Sequence, residues 1–368
     1  MGFKMKILYS NKSLYPFEGG GDVSALTLLD YLSKNHDVIA VYNGQRLENT
    51  KIRSYFQKRK QLPGLWLNTY YLNKRWVKIL SKIVRKEKPD LIICQDYLIP
   101  ASVKVAKRFG IKSIAFLRCY IHISIDGFMT TLPEENKPSQ TSILSYKLQY
   151  PFYKKVFKEF QSALKSADLV ITPSPYLSEI TLKYCNVKSE VIRPFVFPDK
   201  TKSDTKGEYI TFFNPDIHKG LKVFEQIADR MPDRKFLVVG KDDYKTDKKN
   251  IENMGKVKNI KEVYSKTKLL LIPSIWPEGC PRVGIEAMIN GIPFIVSGIG
   301  GLKEEAERGG IIIPDFHNPD EWVKAIKKLD DKEFYEKMAN KAKDKSKEFE
   351  VSAQFEKFDF LLKKLIIT

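Results

Sequence analysis

Two glutamates with seven residues between them, Glu278 and Glu286, flank the turn Gly279-Cys280-Pro281-Arg282. The apolar run Leu269 to Pro273 before them reads as a buried strand, and the run reaching Asn290 after them reads as a helix. Pro281 suits the first helical turn, where its missing N–H costs nothing, so the helix's own N–H groups would face the same loop as Glu278. A negatively charged ligand fits between these groups. Paired carboxylates also match the acid and base of a glycoside hydrolase. That chemistry needs one carboxyl kept protonated, whereas a helix N-terminus and Arg282 favour the ionised form. Ionised carboxylates serve better as acceptors for ribose and hexose hydroxyls. A solvated loop acid and a helix-terminal charge are the plain alternatives for Glu278 and Glu286.

Lys219 stands in a second loop, Asn214-Pro215-Asp216-Ile217-His218-Lys219-Gly220, between a strand at Tyr209 to Phe213 and a helix from Leu221 to Arg230. A cation at a helix N-terminus is electrostatically poor unless an anion lies between the charge and the dipole, and a bound diphosphate removes the conflict. Taken alone, Lys219 could equally be a solvated surface lysine. Two glycine turns follow strands elsewhere: Gly19-Gly20-Gly21 before the apolar helix from Val23, and Gly298-Ile299-Gly300-Gly301 before a helix carrying Glu304 and Glu305. Each offers backbone N–H groups to a phosphate or sugar. Neither has the G-x-G-x-x-G dinucleotide spacing, and a bare turn explains either one by itself.

The elements that must hold these loops alternate between strand and helix, which argues for parallel sheets built from βαβ units. A chain of 368 residues should form two such domains. Strands are predicted at Lys6 to Ser10, Asp37 to Tyr42, Asp90 to Gln95, Ser113 to Arg118 and Asp168 to Pro173, with helices at Val23 to Ser33 and Ala101 to Phe109. Between Val191 and Gly207 the pattern lapses into proline, lysine and serine, which predicts an exposed linker. The pattern then restarts, with later strands at Lys235 to Val239, Leu269 to Pro273 and Pro293 to Ser297. The expected domains are residues 1–198 and 207–345, with an amphipathic segment at 346–368 able to pack back on the first. Ligands of open parallel sheets bind beyond the carboxyl ends of the strands, where all of these loops fall.

No apolar run approaches the roughly 20 residues of a membrane-spanning helix, and the chain opens on strand-like sequence, so a cytoplasmic protein is expected. The four cysteines lack metal-ligand pairing, and no metal is expected. A net charge of +19 attracts polyanions. From Lys51 to Lys88, Glu87 is the only acid, and Tyr55, Phe56, Trp66, Tyr70, Tyr71 and Trp76 are interleaved with the cations. That mixture suits the anionic inner face of a membrane, or else a solvated helix face with its rings in the core. No DNA- or RNA-binding motif is present, so nucleic acid is not the expected partner.

Together and in this order, the loops resemble those of the retaining glycosyltransferases of family 4, which have the GT-B fold of two Rossmann-like domains facing a cleft. Glu278 and Glu286 match that family's Glu-x7-Glu signature, Lys219-Gly220 its donor-domain lysine-glycine pair, Gly298 to Gly301 its later turn, and Gly19 to Gly21 its N-terminal glycine loop. The resemblance covers nearly the whole chain and is most specific from Tyr209 to Pro314. It implies a hexosyl transfer from a UDP- or GDP-sugar to a hydroxyl of a glycan or lipid-linked acceptor, with retention by a front-face mechanism. Glu286 would bind the ribose, Glu278 the transferred sugar, and Lys219 the leaving diphosphate. Backbone around Gly279, Cys280, Pro281 and Arg282 would hold the sugar and phosphates, with Asn214, Gly300 and Gly301 nearby and Gly20 and Gly21 closing from the other domain. Many members carry an arginine where Asn214-Pro215 stands here, and Arg282 is the expected substitute. Arg118 and His122 are the acceptor-side candidates. Two rival readings remain at this point: a nucleotide-sugar epimerase of the same architecture, and a basic polyanion-binding module.

Overall fold

A computed structural model describes residues 4–17, 19–47, 50–57, 65–120, 123, 140–307 and 309–367. The chain divides into two compact units, Met1–Phe195 with Glu356–Thr368, and Val196–Phe355.

In the first unit the chain runs through β1 (Lys6–Ser13), α1 (Gly20–Leu32), β2 (Asp37–Asn43), β3 (Arg53–Gln57), α2 (Leu65–Glu87), β4 (Leu91–Gln95), α3 (Ile99–Phe109), β5 (Lys112–Phe116), α4 (Gln140–Ser166), β6 (Leu169–Thr172), α5 (Pro175–Cys185) and β7 (Glu190–Val191). Among the described residues these strands form one parallel sheet in the order β3-β2-β1-β4-β5-β6-β7. The central strands are buried on both faces, as parallel sheets covered by helices require; every residue of β4 is buried. The order reverses between β1 and β4, and that switch point opens a crevice at the strands' carboxyl ends.

The second unit runs through α6 (Pro198–Thr201), β8 (Tyr209–Phe213), α7 (Leu221–Arg230), β9 (Phe236–Val239), β10 (Ile251–Asn253), α8 (Ile260–Lys266), β11 (Thr267–Ile272), α9 (Arg282–Asn290), β12 (Phe294–Ser297), α10 (Leu302–Ala306), β13 (Ile311–Ile313), α11 (Pro319–Lys328) and α12 (Lys332–Ser346). Its parallel sheet has the order β10-β9-β8-β11-β12-β13, with its switch point between β8 and β11. One face of the sheet packs Phe212, Phe224 and Trp322 together, and the other packs Tyr264, Ile285 and Phe294. Both units are therefore Rossmann-like α/β folds, the class the alternating pattern implies.

One expectation needs correction, and one open choice is narrowed. The stretch predicted as an exposed linker is partly structured: Val196 joins the core of the second unit, and Asn290 holds it by accepting from the backbone N–H of Ser203 at 2.8 Å and donating to the carbonyl of Thr201 at 3.1 Å. Its proline and lysine content hid the apolar Phe195-Val196 pair that anchors it. Of the two readings of the basic segment from Lys51 to Lys88, the one with rings in the core holds for its two tryptophans. Arg53–Gln57 adds a strand to the sheet edge, and Trp66 and Trp76 face the core, with Trp76 Nε1 donating to Ser10 Oγ at 2.8 Å. Lys58, Arg59 and Lys60 lie outside the described residues.

The last helix, α13 (Val351–Ile367), starts in the second unit and from Glu356 onward belongs to the first. There Phe358 stacks on Phe116 at 6.0 Å, and the Tyr31 hydroxyl donates to Asp359 at 2.5 Å.

Candidate functional site

Three loops leave the sheet of the second unit beside its switch point, after β8, β11 and β12. Hydrogen bonds tie them into one body. The loop after β8 makes a short 3-10 turn, Ile217–Lys219, whose start is capped by Asp216 Oδ1 accepting from the His218 N–H at 2.9 Å. The His218 carbonyl accepts from the N–H of Ile275 in the second loop at 3.1 Å. The N–H of Gly301 in the third loop donates to the Glu278 carbonyl at 2.8 Å.

Side chains complete the link. Lys219 Nζ is ion-paired to Glu278 Oε1, which also accepts from Ser274 Oγ at 2.8 Å. Lys219 ends the 3-10 turn rather than opening α7, with Gly220 between them. Its charge is thus aimed across the loop at Glu278 and not along the helix axis. Eight residues on, Glu286 lies on the buried side of α9: Arg282, one turn earlier, donates to its Oε1 at 3.2 Å, and the Tyr264 hydroxyl donates to its Oε2 at 2.8 Å. Burial is the main cause pushing the Tyr264 hydroxyl well above its ordinary range, with the charge of Glu286 next, so it stays a donor. Pro281 stands just before the helix in an extended conformation instead of inside the first turn, and carries no capping side chain.

Glycine is required where these loops cross. Gly220 has φ of 85°, and a Cβ there would lie 1.8 Å from the Pro273 carbonyl oxygen. A Cβ on Gly301 would lie 2.0 Å from the Gly279 carbonyl oxygen, and Gly300 packs on Pro277 and Glu278. Gly220→Ala combines left-handed strain with a backbone clash and should cost roughly 3 kcal/mol of stability. Denaturant unfolding of the purified variant checks this, and a loss below about 1 kcal/mol would contradict the packing described.

Asn214 adopts φ of 56° at the end of β8, its N–H donating to the Val239 carbonyl at 2.7 Å; it is exposed and turns the chain beside Gly240. The sequence assigns no role to three residues of this body. Ser274 and Tyr264 carry no motif in the sequence, yet each orients one of the two glutamates. Glu305 is fully buried, and a Cβ added at Gly284 in α9 would meet its carboxylate.

The first unit has its own cluster at the switch point between β1 and β4. Arg118 Nε donates to Gln95 Oε1 at 2.7 Å, and the same oxygen accepts from the Tyr9 hydroxyl at 2.9 Å. Both Arg118 and Gln95 lie beside Gly21, within 4 Å of where a Cβ would stand. Gly20 is exposed at the start of α1. Asp22, in the first turn of that helix, is held by Asn11 and Ser13. Asp96 accepts from the Arg118 N–H at 2.8 Å, and desolvation pushes its carboxyl up to about 6 against the pull of that hydrogen bond and the Arg118 charge. The other acceptor-side candidate, His122, lies outside the described residues, as does Glu18.

Comparison with known proteins places these two units in one family. Residues 18–200 match the pattern described as Glycosyltransferase Family 4, and residues 211–345 match Glycosyl transferases group 1. The spore coat protein SA of Bacillus subtilis is 40% identical over 76 residues, and the match spans 20% of this chain and 20% of that protein. Among solved structures, the sucrose-phosphate synthase of Thermosynechococcus elongatus superimposes with a TM-score of 0.75 at 15% identity, covering 99% of both chains. The Anabaena protein Alr3699/HepE in complex with UDP gives 0.71 at 16% identity over 98% of this chain and 100% of that one. It has also been solved in complex with UDP-glucose. Pattern matches across both units, and the same fold over the full length, make this chain a member of the glycosyltransferases with the GT-B fold, a family 4 domain followed by a group 1 domain.

Proposed function

We propose that the chain transfers a hexosyl unit from a nucleoside-diphosphate sugar, UDP- or GDP-linked, to a hydroxyl of a glycan or lipid-linked acceptor, retaining the anomeric configuration. The observation that carries this reading is the joined body of three loops in the second unit, beside which Lys219 and Arg282 are each paired with an oriented carboxylate, Glu278 and Glu286. The UDP and UDP-glucose complexes of the Anabaena protein support the donor class.

Glu286 accepts from the ribose hydroxyls. A carboxylate has about four acceptor sites, so the bonds from Arg282 and Tyr264 orient it and leave capacity for a ligand. Glu278 accepts from a hydroxyl of the transferred sugar, with Ser274 holding it in place. As the glycosidic bond breaks, negative charge grows on the leaving diphosphate, and Lys219 shifts from Glu278 towards it; Arg282 and the N-terminus of α9 add to the field. Backbone N–H groups from Gly279 to Arg282 hold the phosphates, with Gly300 and Gly301 keeping that loop in shape. On this reading the positive charge comes from the chain itself, and the chemistry uses no protein nucleophile.

The test is a thermal-shift screen against UDP, GDP, ADP and their sugars, followed by NMR of the product formed with a hydroxyl acceptor. A ligand that binds only the native state raises the melting temperature. The reading requires stabilisation by one nucleotide class and a product with the donor's anomeric configuration. An inverted product, or a donor converted to another sugar without acceptor, would overturn it. Tyr264→Phe isolates the orientation of Glu286: donor affinity should fall about tenfold, with kcat at saturating donor changed less than about threefold. Equal donor KM in variant and wild type would remove Tyr264 from the site.

A further inference from the structure

Sequence alone spread the basic and aromatic residues along Lys51 to Lys88; the fold sorts them and adds partners from a distant helix. On the outer side of α2, the rings of Tyr70 and Tyr71 meet at 5.3 Å, and both reach Phe152 of α4, at 5.8 and 6.5 Å. Two ammonium groups stand over the same ring, Lys74 at 5.4 Å and Lys155 at 4.8 Å from the centre of Tyr70. Tyr71 is 49% exposed, and Leu148, one turn before Phe152 on the same face of α4, is 68% exposed. From this cluster a groove of about 550 Å³ runs between α2, α3 and α4. Lys74 and Lys155 line it together with Lys104, Lys107 and Lys158, and Glu159 is the acid among its lining residues.

We infer that this face docks on an anionic lipid bilayer. Tyrosine rings and an aliphatic side chain at one end sit at headgroup depth, where amphipathic rings partition favourably, and the lysines along the groove meet the lipid phosphates. Exposed Leu148 decides between a bilayer and a nucleic acid or acidic glycan: it stabilises contact with acyl chains and offers nothing to a hydrated polyanion. The rings of Tyr70 and Tyr71 lie edge-on to each other, and the two lysines stand over Tyr70. Among the described residues no helix is long and apolar enough to cross a membrane, so the contact is with the surface. Such docking would bring a lipid-linked acceptor to the first unit, and it stands on its own observations, apart from the donor chemistry.

Flotation of the full chain with vesicles of phosphatidylcholine, alone or mixed with phosphatidylglycerol, tests the inference at low and high salt. Wild type should bind the anionic vesicles at least about tenfold more tightly than the neutral ones, and lose most of that binding at high salt. The double variant Lys74→Glu with Lys155→Glu should bind at least about twentyfold more weakly, and Tyr71→Ser with Leu148→Ser about fivefold or more. Lys245→Glu with Lys249→Glu, the same change of charge placed on the second unit, should stay within about twofold of wild type. Unchanged nucleotide-induced thermal shifts show that the variants are folded and keep the donor question separate. Equal binding to both vesicle types would overturn the proposal, as would equal losses in the control pair. So would aromatic and aliphatic variants that bind vesicles normally while the lysine variant loses only oligonucleotide binding.

Discussion

Lys219→Ala is expected to lower kcat by about 100-fold or more while leaving the fold intact. Removing one donor aimed at developing charge typically costs on the order of 100- to 1,000-fold in rate. The stability cost should be small, because Lys219 is 37% exposed and its pair with Glu278 is worth at most about 1 kcal/mol in such surroundings. Glu278 keeps Ser274 as a donor and stays in place. Lys219→Arg should recover only part of the rate, since a planar guanidinium cannot occupy the position of a compact ammonium at the end of the 3-10 turn. Stopped-flow or radiometric turnover with saturating donor, beside a melting curve for each variant, separates rate from stability. A Lys219→Ala enzyme within about threefold of wild type would remove this residue from the reaction.

Glu286→Ala should behave differently, abolishing the nucleotide-induced thermal shift. Its carboxylate is 8% exposed and is the shared acceptor of Arg282 and Tyr264, so truncation also takes an acceptor from two inward-facing donors. Breaking a buried pair on one side costs about 3 to 5 kcal/mol, and the variant should melt lower even without ligand. Glu286→Gln keeps the side chain's shape, and so separates folding from binding. It should remain folded yet bind nucleotide at least about tenfold more weakly, because one acceptor oxygen becomes a donor facing the ribose and Tyr264. A Gln variant with wild-type affinity would show that the ribose is held elsewhere.

Much of this site could be read from sequence because its residue types have few other uses at strand ends. Glycines after strands and a proline ahead of a helix are local start and turn signals, and a lysine beside a helix start breaks a local preference, so each was conspicuous. Tyr264 and Ser274 break none. A tyrosine on a helix facing the sheet and a serine at the end of a strand look like ordinary packing and turn chemistry, and only the fold shows which carboxylate each one holds. The basic aromatic segment left two readings open for a related reason. Trp66, Trp76, Leu80 and Ile83 lie on the buried side of α2 while Lys74, Lys78 and Lys82 lie on the other, so composition averaged two opposite faces of one helix. Its true surface cluster needs α4, which follows more than fifty residues later. Short edge strands were missed too: β7, β10 and β13 have two or three residues each, too few for any period to show.

On the proposed function, the crevice of the second unit holds the donor's diphosphate and ribose. A crystal structure with the stabilising nucleotide bound tests it directly. A pyrophosphate within ion-pair reach of Lys219 and a ribose hydrogen-bonded to Glu286 are the expected result. A pyrophosphate remote from Lys219, with Glu278 and Glu286 both facing bulk water, would contradict it.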